Sequence, residues 1–116
     1  MKKEYIITNE ELTEKSLNLE DYVNDISQVD TLINMSVDLA TTRILNLNDE
    51  LKGEEDIDEY LDNNPKKVSA FKKLQFRVIY NLLFNGNNDP LDKSVDDIIS
   101  GDLRLVKLNG FQKRVY

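Results

Sequence analysis

Residues 21–47 read DYVNDISQVDTLINMSVDLATTRILNL, and the fold turns on how this stretch is read. Apolar side chains fall at Tyr22, Ile26, Val29, Ile33, Val37, Ala40, Ile44 and Leu47, in steps of three and four. That spacing lines one face of an amphipathic α-helix. Ser27-Gln28-Val29-Asp30 has the form of a capping box. The helix therefore either runs over 21–47 or begins near Gln28. A stripe this long also suits a coiled-coil seam. In a chain of 116 residues, packing against its own helices is the expected use.

The neighbouring segments read as helices too. Upstream, Thr8-Asn9-Glu10-Glu11 forms a capping box for a short helix that buries Leu12 and fades near Ser16. Tyr5-Ile6-Ile7 before it is either a brief strand or a hydrophobic staple. Downstream, Asn48 to Asn64 is an acidic connection broken by Gly53, with a short helix expected over Asp56–Leu61. A second long helix starts at Asn64, with Pro65 in its first turn, and runs to about Phe84 before Gly86. Its stripe Phe71, Leu74, Val78 and Leu82 is widened by Phe76, Ile79, Tyr80 and Leu83. Only Lys66, Lys73, Arg77 and Asn81 are left as a polar strip. A helix apolar over most of its circumference is central or covered by another subunit. Phe76, Ile79, Tyr80 and Leu83 are accordingly the expected subunit interface.

Ser94-Val95-Asp96-Asp97 caps a last short helix that Gly101 should end. The remainder is rich in Val and Leu and holds Asn109-Gly110, a strong hairpin signal. It reads as a hairpin of Leu103–Leu108 with Phe111–Tyr116, or as an extended arm. The expected fold is mainly α. It is a small helical bundle with two long helices, short flanking helices and a C-terminal arm. The expected division is a helical domain over 1–101 and an arm over 102–116.

Charge is segregated along the chain. Residues 1–64 carry 5 basic and 17 acidic side chains, residues 65–116 carry 10 basic and 5 acidic, and the formal net charge is −7. Asp49–Asp62 holds 8 acids against Lys52 alone, and from Leu103 onward there are bases but no acid. Such asymmetry points to interaction surfaces. An acidic chain is a poor non-specific binder of nucleic acid, whose affinity comes largely from phosphate contacts. No run approaches the roughly 20 apolar residues of a membrane helix. Only three apolar residues follow Met1-Lys2-Lys3-Glu4, so no signal-peptide core is expected and the setting is a cytosol.

The chain has no Cys and no His, which excludes disulfides, thiol chemistry, a Ser-His-Asp triad and zinc held by nitrogen or sulfur. Paired carboxylates at Glu10/Glu11, Glu54/Glu55 and Asp96/Asp97 stand at helix starts, where they complete caps and favour the helix dipole. The four glycines stand apart, so there is no phosphate-binding loop. The acidic stretch from Asn85 to Asp97 fails the calcium-loop order, with Pro90 inside it and no closing Glu. No enzyme activity, cofactor or metal is expected. Lys66, Lys67, Lys72, Lys73 and Arg77 are more readily a solvated helix face than a phosphate-binding strip. The C-terminal residues Leu103, Arg104, Lys107, Phe111, Lys113, Arg114 and Tyr116 are the candidate partner-binding set, by strand addition or insertion into a groove.

Taken in order, these segments resemble the head–tail connector (adaptor) family of tailed bacteriophages. The residues that carry the resemblance are Thr8-Asn9-Glu10-Glu11-Leu12, Asp30-Thr31-Leu32-Ile33-Asn34-Met35-Ser36, Lys67-Val68-Ser69-Ala70-Phe71, and Val78 to Gly86. The resemblance implies a non-enzymatic subunit of a homo-oligomeric ring, twelvefold in the family, in the virion neck and assembled in the host cytoplasm. Its partners would be the portal protein and tail-proximal connector proteins. DNA would pass through the ring without specific binding, and no membrane would be involved. Glu54, Glu55, Asp56, Asp58 and Glu59 would line the channel, where acidic charge repels phosphate. The basic arm would meet an acidic portal surface by complementary charge. The alternative reading is a small acidic helical regulatory or protein-binding module that mimics DNA.

Overall fold

A computed structural model describes residues 1–85 and 89–104. Five α-helices are present: α1 (Asn9–Glu14), α2 (Ser27–Leu47), α3 (Glu54–Asn63), α4 (Val68–Phe84) and α5 (Lys93–Ile98). There is no strand among the described residues, and the fold is the expected small bundle around two long helices. The hairpin or extended arm around Asn109-Gly110 and the stop at Gly86 lie outside the described residues.

Two buried clusters meet across α2 and α4. The larger joins Ala40 and Ile44 of α2 and Ile57 and Leu61 of α3 with Phe71, Leu74 and Val78 of α4, and with Val95, Ile98 and Leu103. The smaller joins Val29 and Ile33 of α2 with Ile79 of α4 and with Ile7, Leu12, Leu17 and Leu19. The start of α2 thus meets the end of α4, so the two helices run antiparallel. Burial of these apolar side chains is the main favourable term in folding.

Helix ends follow local chemistry. The α1 box is complete: Thr8 Oγ1 accepts from Glu11 N–H at 3.1 Å, and Glu11 Oε1 accepts from Thr8 N–H at 3.1 Å. Ser16 then takes a left-handed conformation (φ 67°), and Leu17 N–H reaches back to Leu12 C=O at 2.9 Å, ending the helix where expected. For α2 and α5 the expected Ser caps give way to an Asp two residues upstream. Asp25 accepts from Ser27 N–H at 3.1 Å while Gln28 Oε1 accepts from Asn24 N–H at 2.9 Å. Asp92 accepts from Ser94 N–H at 3.0 Å and from Val95 N–H. A carboxylate is a stronger acceptor than a hydroxyl and sits well at a helix N-terminus. The Ser94 hydroxyl and these amides hold the Asp92 carboxyl below the usual range.

Other expectations are corrected by the packing. The α2 stripe starts at Val29. Tyr22 and Ile26 precede the helix and are 51% and 71% exposed. Asn64 does not cap with its side chain, which donates to Tyr60 C=O at 2.8 Å, and Pro65–Lys67 forms a 3₁₀ turn leading into α4. Asn81 does not belong to a solvated strip. It is buried and donates to Pro90 C=O at 3.0 Å. Gly101 does not stop the last helix. A π-type turn carries Ile99–Leu103 onward until Arg104 turns left-handed (φ 57°) and its N–H reaches Ile99 C=O. Tyr5 lies in a 3₁₀ turn, and Ile7 follows in a segment held by a side chain of α4, with no strand beside it among the described residues.

One stability prediction arises at α1. Glu11 is partly buried, which opposes its charge, but Lys72 and the Thr8 contacts outweigh that and lower its pKa. A lowered carboxyl pKa contributes stability above its unfolded value and loses it as pH falls through the folded one. We expect Lys72→Met to lower the urea midpoint at neutral pH. The difference from wild type should vanish once the pH is low enough to protonate Glu11 in both. An equal difference at both pH values would remove the Glu11–Lys72 pair as its cause.

Candidate interaction surfaces

The outer side of α4 carries a ladder of rings. The Phe76 and Tyr80 centroids lie 6.4 Å apart, and those of Tyr80 and Phe84 lie 4.8 Å apart. Tyr22 stands edge-on against Phe84 at 5.1 Å and 88°. These are favourable aromatic geometries. Tyr80 and Phe84 are nonetheless 38% and 44% exposed. Lys15 Nζ sits 5.7 Å from the Phe76 ring centre, and the Arg77 guanidinium 5.3 Å from that of Tyr80.

This arrangement divides the expected subunit interface. Phe76, Tyr80 and Leu83 reach the surface in whole or part, whereas Ile79 is fully buried in the smaller cluster and has nothing to offer a neighbour. Tyr22 and Phe84 complete the surface. Helical periodicity assigns Tyr22 to the inward stripe of α2. Only the turn at Leu19–Asp21 moves it out beside α4.

The acidic face of α3 is partly used within the chain. Glu54 and Asp58 flank the Met1 amino nitrogen at 3.1 and 3.8 Å. Asp56 accepts from Lys52 N–H ahead of the helix. Asp62 binds Lys2 Nζ at 2.6 Å and accepts from the Tyr5 hydroxyl. Lys2 first, then Tyr5, hold the Asp62 carboxyl low, and the same hydrogen bond pushes the Tyr5 phenol up to about 12. Glu55 and Glu59 remain exposed.

Several of the described bases are likewise engaged. Lys72 pairs with Glu11 at 3.0 Å, Lys73 with Asp102 at 2.7 Å, and Lys67 Nζ donates to Asp102 C=O at 3.0 Å. Arg77 donates to Ser94 Oγ at 2.8 Å. Arg43 grips Asp96 with two hydrogen bonds of 2.7 Å. A phosphate-binding strip on α4 would have to break these pairs.

Of the C-terminal set, Leu103 is fully buried in the larger cluster, and its carbonyl accepts from Tyr60 Oη at 3.1 Å. It belongs to the helical body and is not a free docking residue. Arg104 is exposed at the end of the turn. Lys107, Phe111, Lys113, Arg114 and Tyr116 lie outside the described residues. Among the described residues no three Asp or Glu side chains gather as a metal site. No described helix is long and apolar enough to cross a membrane.

No family model, no curated protein and no solved structure matches this chain.

Proposed function

We propose that this chain is a structural subunit of a phage head–tail connector ring, joining portal to tail around the DNA path. The aromatic ladder on α4 carries the reading. A soluble helix that leaves Tyr80 and Phe84 in water beside Tyr22 has a surface fit for burial against protein. The order of segments and the exposed acids Glu55 and Glu59 on α3 also support it. In this reading the chain acts by contact and charge and performs no chemistry. Neighbouring copies cover the ladder, α3 faces the DNA, and Lys107, Lys113 and Arg114 engage an acidic surface of the portal. The subunit works in the virion neck after assembly in the host cytoplasm.

The test is to mix the full chain with a cognate portal ring and examine the products by negative-stain microscopy. A ring seated on the portal is expected, with loss of seating when residues 105–116 are deleted. Absence of any portal complex would overturn the reading. So would tight binding to a basic DNA-binding protein that disappears when Glu54, Glu55, Asp56, Asp58 and Glu59 are neutralised. That result would favour the DNA-mimic module.

A further inference from the structure

The aromatic ladder is electrically polar. At one end, Lys15 lies over Phe76 and Arg77 over Tyr80. At the other, Tyr22 is preceded by the exposed Glu20 and Asp21 and followed by the exposed Asp25. The end of α4 beside Phe84 adds the negative partial charge of a helix C-terminus. Tyr80, Phe84 and Tyr22 along its length are open to water.

We propose that the ladder is a two-fold self-contact, covered in the free protein by the ladder of a second copy lying antiparallel across it. A two-fold axis sets each end of a surface against the other end of its copy. Here that places Lys15 and Arg77 of each copy opposite the acids around Tyr22 of the other, with rings against rings between them. A parallel pairing would set like charges together, and a partner of single sign would match one end only. A two-fold contact closes at two copies, whereas a ring needs a head-to-tail contact between different surfaces. The pair is therefore the free form of the chain; under the connector reading it is exclusive of the ring and opens when the ring is built. This inference rests on the ladder being a contact between copies and does not require the phage reading.

Sedimentation equilibrium of the full chain across micromolar to submillimolar concentrations tests it. The expected mass at high concentration is twice the 13.5 kDa of one chain, falling toward one chain on dilution. Phe84→Ser changes an exposed residue and should weaken pairing at least tenfold while leaving the helical circular dichroism unchanged. Lys15→Glu and Asp21→Lys should each weaken pairing, because each sets like charges together twice in a two-fold pair. The double variant K15E/D21K should restore it. A single-chain mass at every concentration would overturn the proposal. Pairing indifferent to Phe84→Ser, or a double variant no better than the single ones, would also overturn it. Rings forming directly from the free chain would sink the pair and leave the connector reading standing. A pair that forms no ring with any portal would do the reverse.

Discussion

Phe71→Ala is expected to lower stability by about 3–5 kcal/mol, the usual cost of emptying a buried phenylalanine site. Phe71 is fully buried where α2, α3, α4 and the last turn converge, so no single neighbour can move in to fill the space. A domain of this size typically has about 5–15 kcal/mol in total. The variant should therefore be partly unfolded at temperatures the parent tolerates. Phe84→Ala provides the control, because it removes the same atoms from the same helix at a site 44% exposed. At concentrations where the chain is unpaired its cost should stay within about 1 kcal/mol. Urea unfolding of the two variants decides the matter. Equal shifts of the midpoint would mean that the larger cluster is not where the stability resides.

Gln75→Leu is expected to cost about 2–6 kcal/mol, although it puts an apolar side chain into an apolar place. Gln75 is fully buried in the middle of α4. Its Oε1 accepts from Ile7 N–H at 2.9 Å, and its Nε2 donates to Tyr5 C=O at 2.7 Å. These bonds satisfy an extended backbone segment that has no strand beside it among the described residues. Leucine would leave one donor and one acceptor dry and unpaired, each costing about 1–3 kcal/mol. The first eight residues should then open locally and uncover Leu12 and Leu19 beneath them. Amide exchange at Ile7 reads this directly, and it should accelerate far more than exchange at Ile44. Unchanged protection at Ile7 would show that apolar contacts alone hold the segment.

The two residues also mark how far the sequence can be read. Phe71 stands in the α4 stripe, so periodicity alone assigns it to the core. Gln75 follows it by one turn and is as deeply buried; its spacing sets it on the same inward face, but nothing in its type tells what it bonds there. Its partners are backbone atoms 68 and 70 residues away. Asn81 escapes the same way, its amide satisfied by Pro90 C=O. The N-caps of α1, α2 and α5 are legible to within two residues, and the error at the last two has a local cause. In both Asp25-Ile26-Ser27 and Asp92-Lys93-Ser94 the carboxylate accepts from the serine's own N–H, so the helix begins one or two residues before the place a serine cap would set.

The candidate surface divides along the same line. That α4 is apolar on too many sides to be an ordinary surface helix follows from its composition alone. Which side is left open does not. Ile79 and Tyr80 are adjacent in sequence, and one is fully buried while the other is 38% exposed. The choice is made by where α1 and the turn at Leu19 come to rest against the end of α4. That same turn delivers Tyr22 to Phe84, across 62 residues of chain. The sequence by itself determined where the helices fall, the α1 capping box and the inward residues of α2 from Val29 to Ile44 and of α4 from Phe71 to Val78, because these depend on interactions within a few residues. Tertiary structure alone decided which rings stay in water, which charges pair and which amides a buried glutamine satisfies. Those depend on contacts between segments far apart in the chain, which local pattern does not encode.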